Sequence, residues 1–220
     1  MKYFITGTDT GVGKTYVTVS LIKYYMSLGY IVKAIKPVET GCIKKNGNLY
    51  PEDAGKFAEL TGQDLDEVCP YKFEIPVAPY VASQLENVNI DIDKIKNHVD
   101  SVYSKLIREY SEEKTILFIE GAGGLMVPVT KKFMMIDFPI LLETPVILVS
   151  RLSLGTINHT LLSLEALERR NITVKGVILN NALGLKTVAE LTNEQILKEY
   201  LKFPILSVLG KNDDIKRKIL

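Results

Sequence analysis

The chain has 220 residues, 46% of them apolar, enough to bury a full core and short enough that one domain is the expected organisation. Lysine plus arginine (27) nearly balances aspartate plus glutamate (26), so no global field favours nucleic acid or an anionic membrane, and phosphate recognition has to be local. Two cysteines outside any CxxC or metal-ligand spacing, no signal-peptide pattern and no membrane-length apolar run predict a cytoplasmic protein without membrane or nucleic-acid partners.

Short β-branched or aromatic runs alternate with longer segments of helical periodicity. That alternation predicts an α/β fold with a mostly parallel central sheet and helices on both faces. A strand over residues 3–6 is followed by a helix over 14–28, ended by Gly29. A strand over 30–35 opens a connection from 37 to about 91 that holds one helical stretch near 52–60. Connections of this length usually carry function, so substrate contacts are expected there. Ile92, Ile95, Val99, Val102, Tyr103, Leu106 and Ile107 recur at helical spacing. Strands over 115–119, 145–149, 174–179 and 205–209 and helices over 161–167 and 188–201 complete the series. Several strands are apolar throughout, as strands covered on both faces are.

Between the first strand and the first helix lies Gly7-Thr8-Asp9-Thr10-Gly11-Val12-Gly13-Lys14-Thr15, the layout of a P-loop, and with it the P-loop NTPase fold is expected. The strict pattern has glycine where Thr8 stands. Gly11 and Gly13 let the backbone turn its N–H groups inward at the positive end of the helix dipole, which makes an anion cradle. Lys14 reaches for the terminal phosphates, and the Thr15 hydroxyl is an oxygen donor suited to a nucleotide-bound magnesium ion. Glu120 follows the apolar strand at its carboxyl end, where open α/β sheets bind ligands, and precedes Gly121-Ala122-Gly123-Gly124. An acidic partner for the cation is expected there. Asp53 sits at a predicted helix start, where acids are common for dipole reasons alone, and spacing does not choose between that role and a metal ligand. Lys36 on its own reads as a strand-end lysine in solvent.

The loop, Lys36-Pro37-Val38-Glu39-Thr40-Gly41, Asp53, Glu120-Gly121-Ala122-Gly123-Gly124-Leu125 and Leu154-Gly155-Thr156-Ile157-Asn158-His159 occur in one order along the chain. Together they resemble the dethiobiotin synthetase family over residues 2 to about 181. The resemblance implies a homodimeric, ATP-using ligase that joins carbon dioxide to 7,8-diaminononanoate and closes a ureido ring. It implies Thr15, Asp53 and Glu120 as Mg²⁺ ligands and Lys14 and Lys36 as catalytic cations. The backbone of Gly11, Val12, Gly13, Lys14, Thr15 and Tyr16 is to wrap the phosphates. Thr10 is to touch phosphate or substrate, and Gly121, Ala122 and Gly123 are to approach both ligands. Thr40 matches a substrate-contacting hydroxyl, and Asn180, with Asn181 beside it, matches the reader of the adenine edge. Gly155, Thr156, Ile157 and Asn158 match a helix start that binds the substrate carboxylate from the neighbouring subunit; a capped surface helix is the alternative. His98 and His159 receive no role.

Two rival readings share the P-loop. Switch ATPases of the partitioning type carry a signature lysine where this chain has Asp9, and cobyrinate-type amidating ligases need an ammonia source. Beyond Pro204-Ile205-Leu206 the chain departs from the family pattern with Ser207-Val208-Leu209-Gly210-Lys211, which leaves base preference open.

Overall fold

The computed structural model of the chain describes residues 1–181, 184, 187–216 and 218–220. Six strands form one sheet: β1 (Lys2–Gly7), β2 (Ile31–Ile35), β7 (Thr115–Gly124), β10 (Val146–Arg151), β11 (Val174–Asn180) and β12 (Ile205–Leu209). Their order is β12-β11-β10-β1-β7-β2, and every pairing is parallel. The crossover helices are α1 (Lys14–Ser27), α5 (Ile92–Tyr110), α7 (Thr156–Arg169) and α8 (Val188–Tyr200).

Adjacent residues of the central strands enter two separate cores. Tyr3, Ile5, Ile116 and Phe118 pack with Val17, Leu21, Ile22 and Tyr25 of α1. Phe4, Leu117 and Ile119 pack on the other face with Ile95 and Val99 of α5, Leu164 and Leu167 of α7 and Leu197 of α8. This two-faced burial is the physical reason the strands read as continuous apolar runs.

The long connection is more structured than the sequence predicts. It holds the short strands β3 (Val38–Thr40), β4 (Ile43–Lys45), β5 (Asn48–Tyr50) and β6 (Tyr71–Phe73) and the helices α2 (Glu52–Thr61), α3 (Leu65–Val68) and α4 (Pro79–Leu85). Most of these elements are three to seven residues long, too short for periodicity to declare them. The same holds for β8 (Pro128–Thr130), β9 (Phe133–Met134) and α6 (Asp137–Leu141). Two predicted boundaries shift with consequence. β7 runs on through Glu120 to Gly124, so Glu120 lies inside the strand, and α7 begins at Thr156 rather than 161. The helix starts early because Gly155, at φ 90°, takes the N-cap position.

Leu117 and Phe118 are neighbours in sequence yet fully buried in opposite cores. Leu117→Ala and Phe118→Ala are therefore both expected to cost about 2–5 kcal/mol in urea unfolding. A sheet covered on one face would feel only one of them.

Candidate active site

The carboxyl ends of β1, β7 and β2 meet the start of α1, and four charged or hydroxyl-bearing segments converge there. The loop from β1 turns through Gly11 (φ 70°) and Gly13 (φ 91°), left-handed conformations that a side chain strains. Lys14 is buried, and its Nζ folds back onto the Asp9 carbonyl at 3.1 Å. Burial, with nearby Lys36, lowers the Lys14 pKa to about 8 against the pull of Glu120, Asp53 and Asp9.

Glu120 has no solvent exposure, and three groups satisfy its carboxylate. Thr15 Oγ1 donates to Oε1 at 2.8 Å, Thr18 Oγ1 donates to Oε2, and Lys36 Nζ donates to Oε1 at 2.6 Å. Lys36 also reaches Asp53 Oδ2 at 3.2 Å. Lys36 is 4% exposed rather than a solvated strand-end lysine. Burial alone lowers its pKa, but Glu120, Asp53 and Glu39 together hold it well above the usual lysine value. Asp53 is disfavoured as an anion by its burial, yet Lys36, the Thr15 hydroxyl and Lys56 bring its pKa below the ordinary aspartate value. Asp53 and Glu120, far apart in sequence, thus meet at one ammonium group, and Thr15 joins them through its bond to Glu120.

Two further residues of this cluster were given no role by the sequence. Thr18 lies one turn after Lys14, so the helical period alone aligns it with the loop. Glu39 is buried in β3 and accepts the amides of Asp53 at 3.0 Å and Ala54 at 2.9 Å. Its signal was the N-cap of α2: Pro51 offers no side-chain acceptor, so the first helical amides need one from elsewhere. Burial raises the Glu39 pKa, partly offset by Lys36 and the two amides.

The glycines after Glu120 run along the loop. Gly124 is the register partner of Gly7, and a Cβ on Gly124 would stand 3.5 Å from Asp9 Cα. One on Gly123 would lie 3.4 Å from Thr10 Oγ1. Gly121 is closed in by Met135 and Phe4, and Ala122 is half-buried. Thr40 is half-buried at the end of β3, four residues beyond Lys36.

On the other side, Asn180 ends β11 and donates from Nδ2 to Val12 O at 2.8 Å. Gly11, Val12, Gly13, Tyr16, Asn180 and Asn181 border a cavity of about 310 Å³. Larger hollows of about 590 and 930 Å³ lie elsewhere, and neither includes the phosphate loop, Lys36, Asp53 or Glu120. The chemistry of the residues identifies the smaller one as part of the site. At the start of α7, Thr156 is tied to Ser150 at 2.8 Å, while Ile157 is half-buried and Asn158 exposed. Thr156 borders a small cavity with Thr8, Asp9 and Val12, so this helix start lies beside the loop of its own chain. His98 contacts the Glu67 carbonyl, and His159 is exposed.

Glu39→Ala removes both acceptors at the α2 start and is expected to cost about 1–3 kcal/mol in urea unfolding. Glu39→Gln, with one oxygen left, is expected to cost less.

A sequence profile described as an AAA domain matches residues 1–218. An ATP-dependent dethiobiotin synthetase of Thermodesulfovibrio yellowstonii is 42% identical over 217 residues, covering 94% of this chain and 87% of that protein. Its namesake in Legionella pneumophila is 37% identical over 97% of both chains. Among solved structures, a ParA family ATPase from Chlorobium tepidum aligns with TM-score 0.54 at 13% identity over 96% of this chain and 85% of that one. The MinD cell division protein of Aquifex aeolicus aligns with TM-score 0.54 at 16% identity over 96% and 82%. At such identity these two speak for the shared P-loop fold alone. The relatives of high coverage speak for more: the chain is an ATP-dependent ligase and belongs to the dethiobiotin synthetase family.

Proposed function

We propose that this single-domain enzyme forms dethiobiotin from 7,8-diaminononanoate, carbon dioxide and ATP through a carbamate and a carbamic–phosphoric anhydride. The observation that carries the proposal is the Lys36 ammonium, held 2.6 Å from Glu120 and 3.2 Å from Asp53 at the mouth of the sheet beside the phosphate loop. Such a fixed, water-excluded cation suits a reaction whose charge builds on carbamate and phosphoryl oxygens.

In this reading one amine of the substrate has combined with carbon dioxide to give a carbamate, which needs no protein nucleophile. A carbamate oxygen takes the γ-phosphoryl group and ADP departs. The second amine then attacks the carbamoyl carbon, closes the five-membered ring and expels phosphate. Lys14 and Lys36 neutralise the moving phosphoryl group, while the backbone of Gly11, Val12, Gly13, Lys14, Thr15 and Tyr16 cradles the nucleotide. Thr10 and the Gly121, Ala122 and Gly123 stretch border nucleotide and substrate, and Thr40 contacts the diamine. Asn180 and Asn181 border the base.

Thr15, Asp53 and Glu120 would hold Mg²⁺. The donor set fits, being one hydroxyl and two carboxylates, the oxygen ligands a hard cation prefers. The ammonium already drawn between the carboxylates marks the place as one that favours positive charge. A bound Mg²⁺ would supply charge neutralisation on the phosphates.

Gly155, Thr156, Ile157 and Asn158 are assigned to the substrate carboxylate of a neighbouring subunit's site in a homodimer. Support for that assembly comes from apolar side chains left in solvent on and beside α7 and α8: Leu154 at 90% exposure, with Leu162, Val188 and Leu191. Near-zero net charge gives no field for nucleic acid, no helix among the described residues is long and apolar enough to cross a membrane, and two free, buried thiols suit the cytoplasm.

Purified protein incubated with 7,8-diaminononanoate, bicarbonate, ATP and Mg²⁺ is expected to yield dethiobiotin by mass; ATP turnover without that product would overturn the reading. Chelation with EDTA is expected to stop the reaction and added Mg²⁺ to restore it. Lys36→Ala is expected to keep ATP binding while ring closure falls by about a hundredfold or more. Near-normal turnover in that variant would remove Lys36 from the chemistry.

A further inference from the structure

Two neighbouring strands end side by side at the phosphate loop. Arg151, the last residue of β10, is the register partner of Asn180, the last residue of β11. Both side chains reach the loop. Arg151 donates from Nη2 to the Gly11 carbonyl at 2.9 Å, and Asn180 donates from Nδ2 to the Val12 carbonyl at 2.8 Å. Consecutive strand ends therefore hold consecutive carbonyls.

The peptide unit is planar and trans, so each carbonyl points opposite to the N–H that follows it. Holding Gly11 O fixes the direction of the Val12 N–H, and holding Val12 O fixes that of the Gly13 N–H. Both carbonyls are turned onto cationic or amide donors, and both amides face away from them. The stretch needs such restraint, because Gly11 and Gly13 sit at φ 70° and 91° and glycine loses more conformational freedom on ordering than any other residue.

We propose that Arg151 and Asn180 are positioning residues, a paired clamp that presets the Val12 and Gly13 amides for an incoming chain of phosphates. The proposal rests on the reading that this loop receives the phosphates of ATP. It gives Asn180 a task separate from the base, and it explains why position 13 carries no side chain. A Cβ there would fall 1.9 Å from Asn180 Nδ2, in addition to the left-handed φ. The two halves differ in strength. Asn180 is 4% exposed and its bond is shielded from water, whereas Arg151 is exposed and competes with solvent for Gly11 O.

The test is calorimetric titration with ATP and with inorganic tripolyphosphate, which offers phosphates without base or ribose, both with Mg²⁺. Asn180→Ala is expected to weaken both ligands by the same factor, roughly three- to tenfold for one lost hydrogen bond, and Arg151→Ala to weaken both by less. Asn180→Asp, which sets an acceptor against Val12 O, is expected to bind both at least as weakly as Asn180→Ala. The loss in Arg151→Ala is expected to persist at high salt, as the loss of a direct contact does and the loss of a long-range charge does not. Because Arg151 is exposed, its variants keep the fold and carry the test even where an Asn180 change destabilises the chain. Loss of ATP affinity with tripolyphosphate unaffected in Asn180→Ala would overturn the clamp and leave Asn180 a reader of the base. A loss in Arg151→Ala that disappears at high salt would overturn it too, since long-range charge and not the Gly11 contact would then be acting. Wild-type protein that binds neither ligand would overturn the phosphate-loop reading itself, a result separable from both.

Discussion

A carboxylate with no access to water sits at the centre of this molecule, and its neutralisation organises what surrounds it. Glu120 is carried into the interior because β7 continues past its apolar run, and an anion there is tolerable only when paired and fully hydrogen-bonded. Thr15 and Thr18 supply hydroxyls from one helix face, and Lys36 supplies the charge from the end of a different strand. The same contacts that make Glu120 bearable place the start of α1, the end of β2 and the middle of β7 in a fixed relation. Lys36 then has charge to share with Asp53, which draws the start of α2 into the same cluster. Electrostatic necessity in the core and assembly of the site are one arrangement.

Around that centre, close approach is allowed by missing side chains. Gly7 and Gly124 face each other in register between β1 and β7, and Gly123 leaves room for Thr10. A side chain on Gly7 would fall 2.6 Å from Val12 Cγ2 and press on the phosphate loop, whereas one on Gly124 would meet Asp9 in ordinary contact. Further along the sheet edge the loop is held by polar side chains instead, and the two kinds of restraint meet at Gly13, which has backbone strain on one count and Asn180 on the other.

The sheet and its crossover helices were legible in the sequence because burial on two faces writes long apolar runs between longer amphipathic ones. The phosphate loop was legible because its function demands glycine, lysine and threonine at fixed offsets. Lys36 was not legible from its own surroundings: a lysine at a strand end is ordinarily solvated, and only the family resemblance singled it out. Its burial depends on Glu120 and Asp53, 84 and 17 positions away, and no local pattern encodes such a meeting. Glu39 escaped because it acts on the backbone of another element, and Arg151 because an arginine closing a strand has no signature of its own. The short strands and helices of the long connection escaped because three to seven residues cannot display a period.

That connection has one more property. Its β4–β5 hairpin is largely exposed and hangs between Thr40, which follows the buried Glu39, and Pro51, which opens α2. The anchors on either side are joined directly, by the Glu39 carboxylate on the Asp53 and Ala54 amides, and not through the hairpin. Lengthening a surface loop between fixed ends costs little, about 0.6 kcal/mol for each doubling. The hairpin is therefore a stretch where lineages can insert or delete residues, or an engineer can graft a peptide, while the distance from Lys36 to Asp53 stays as it is.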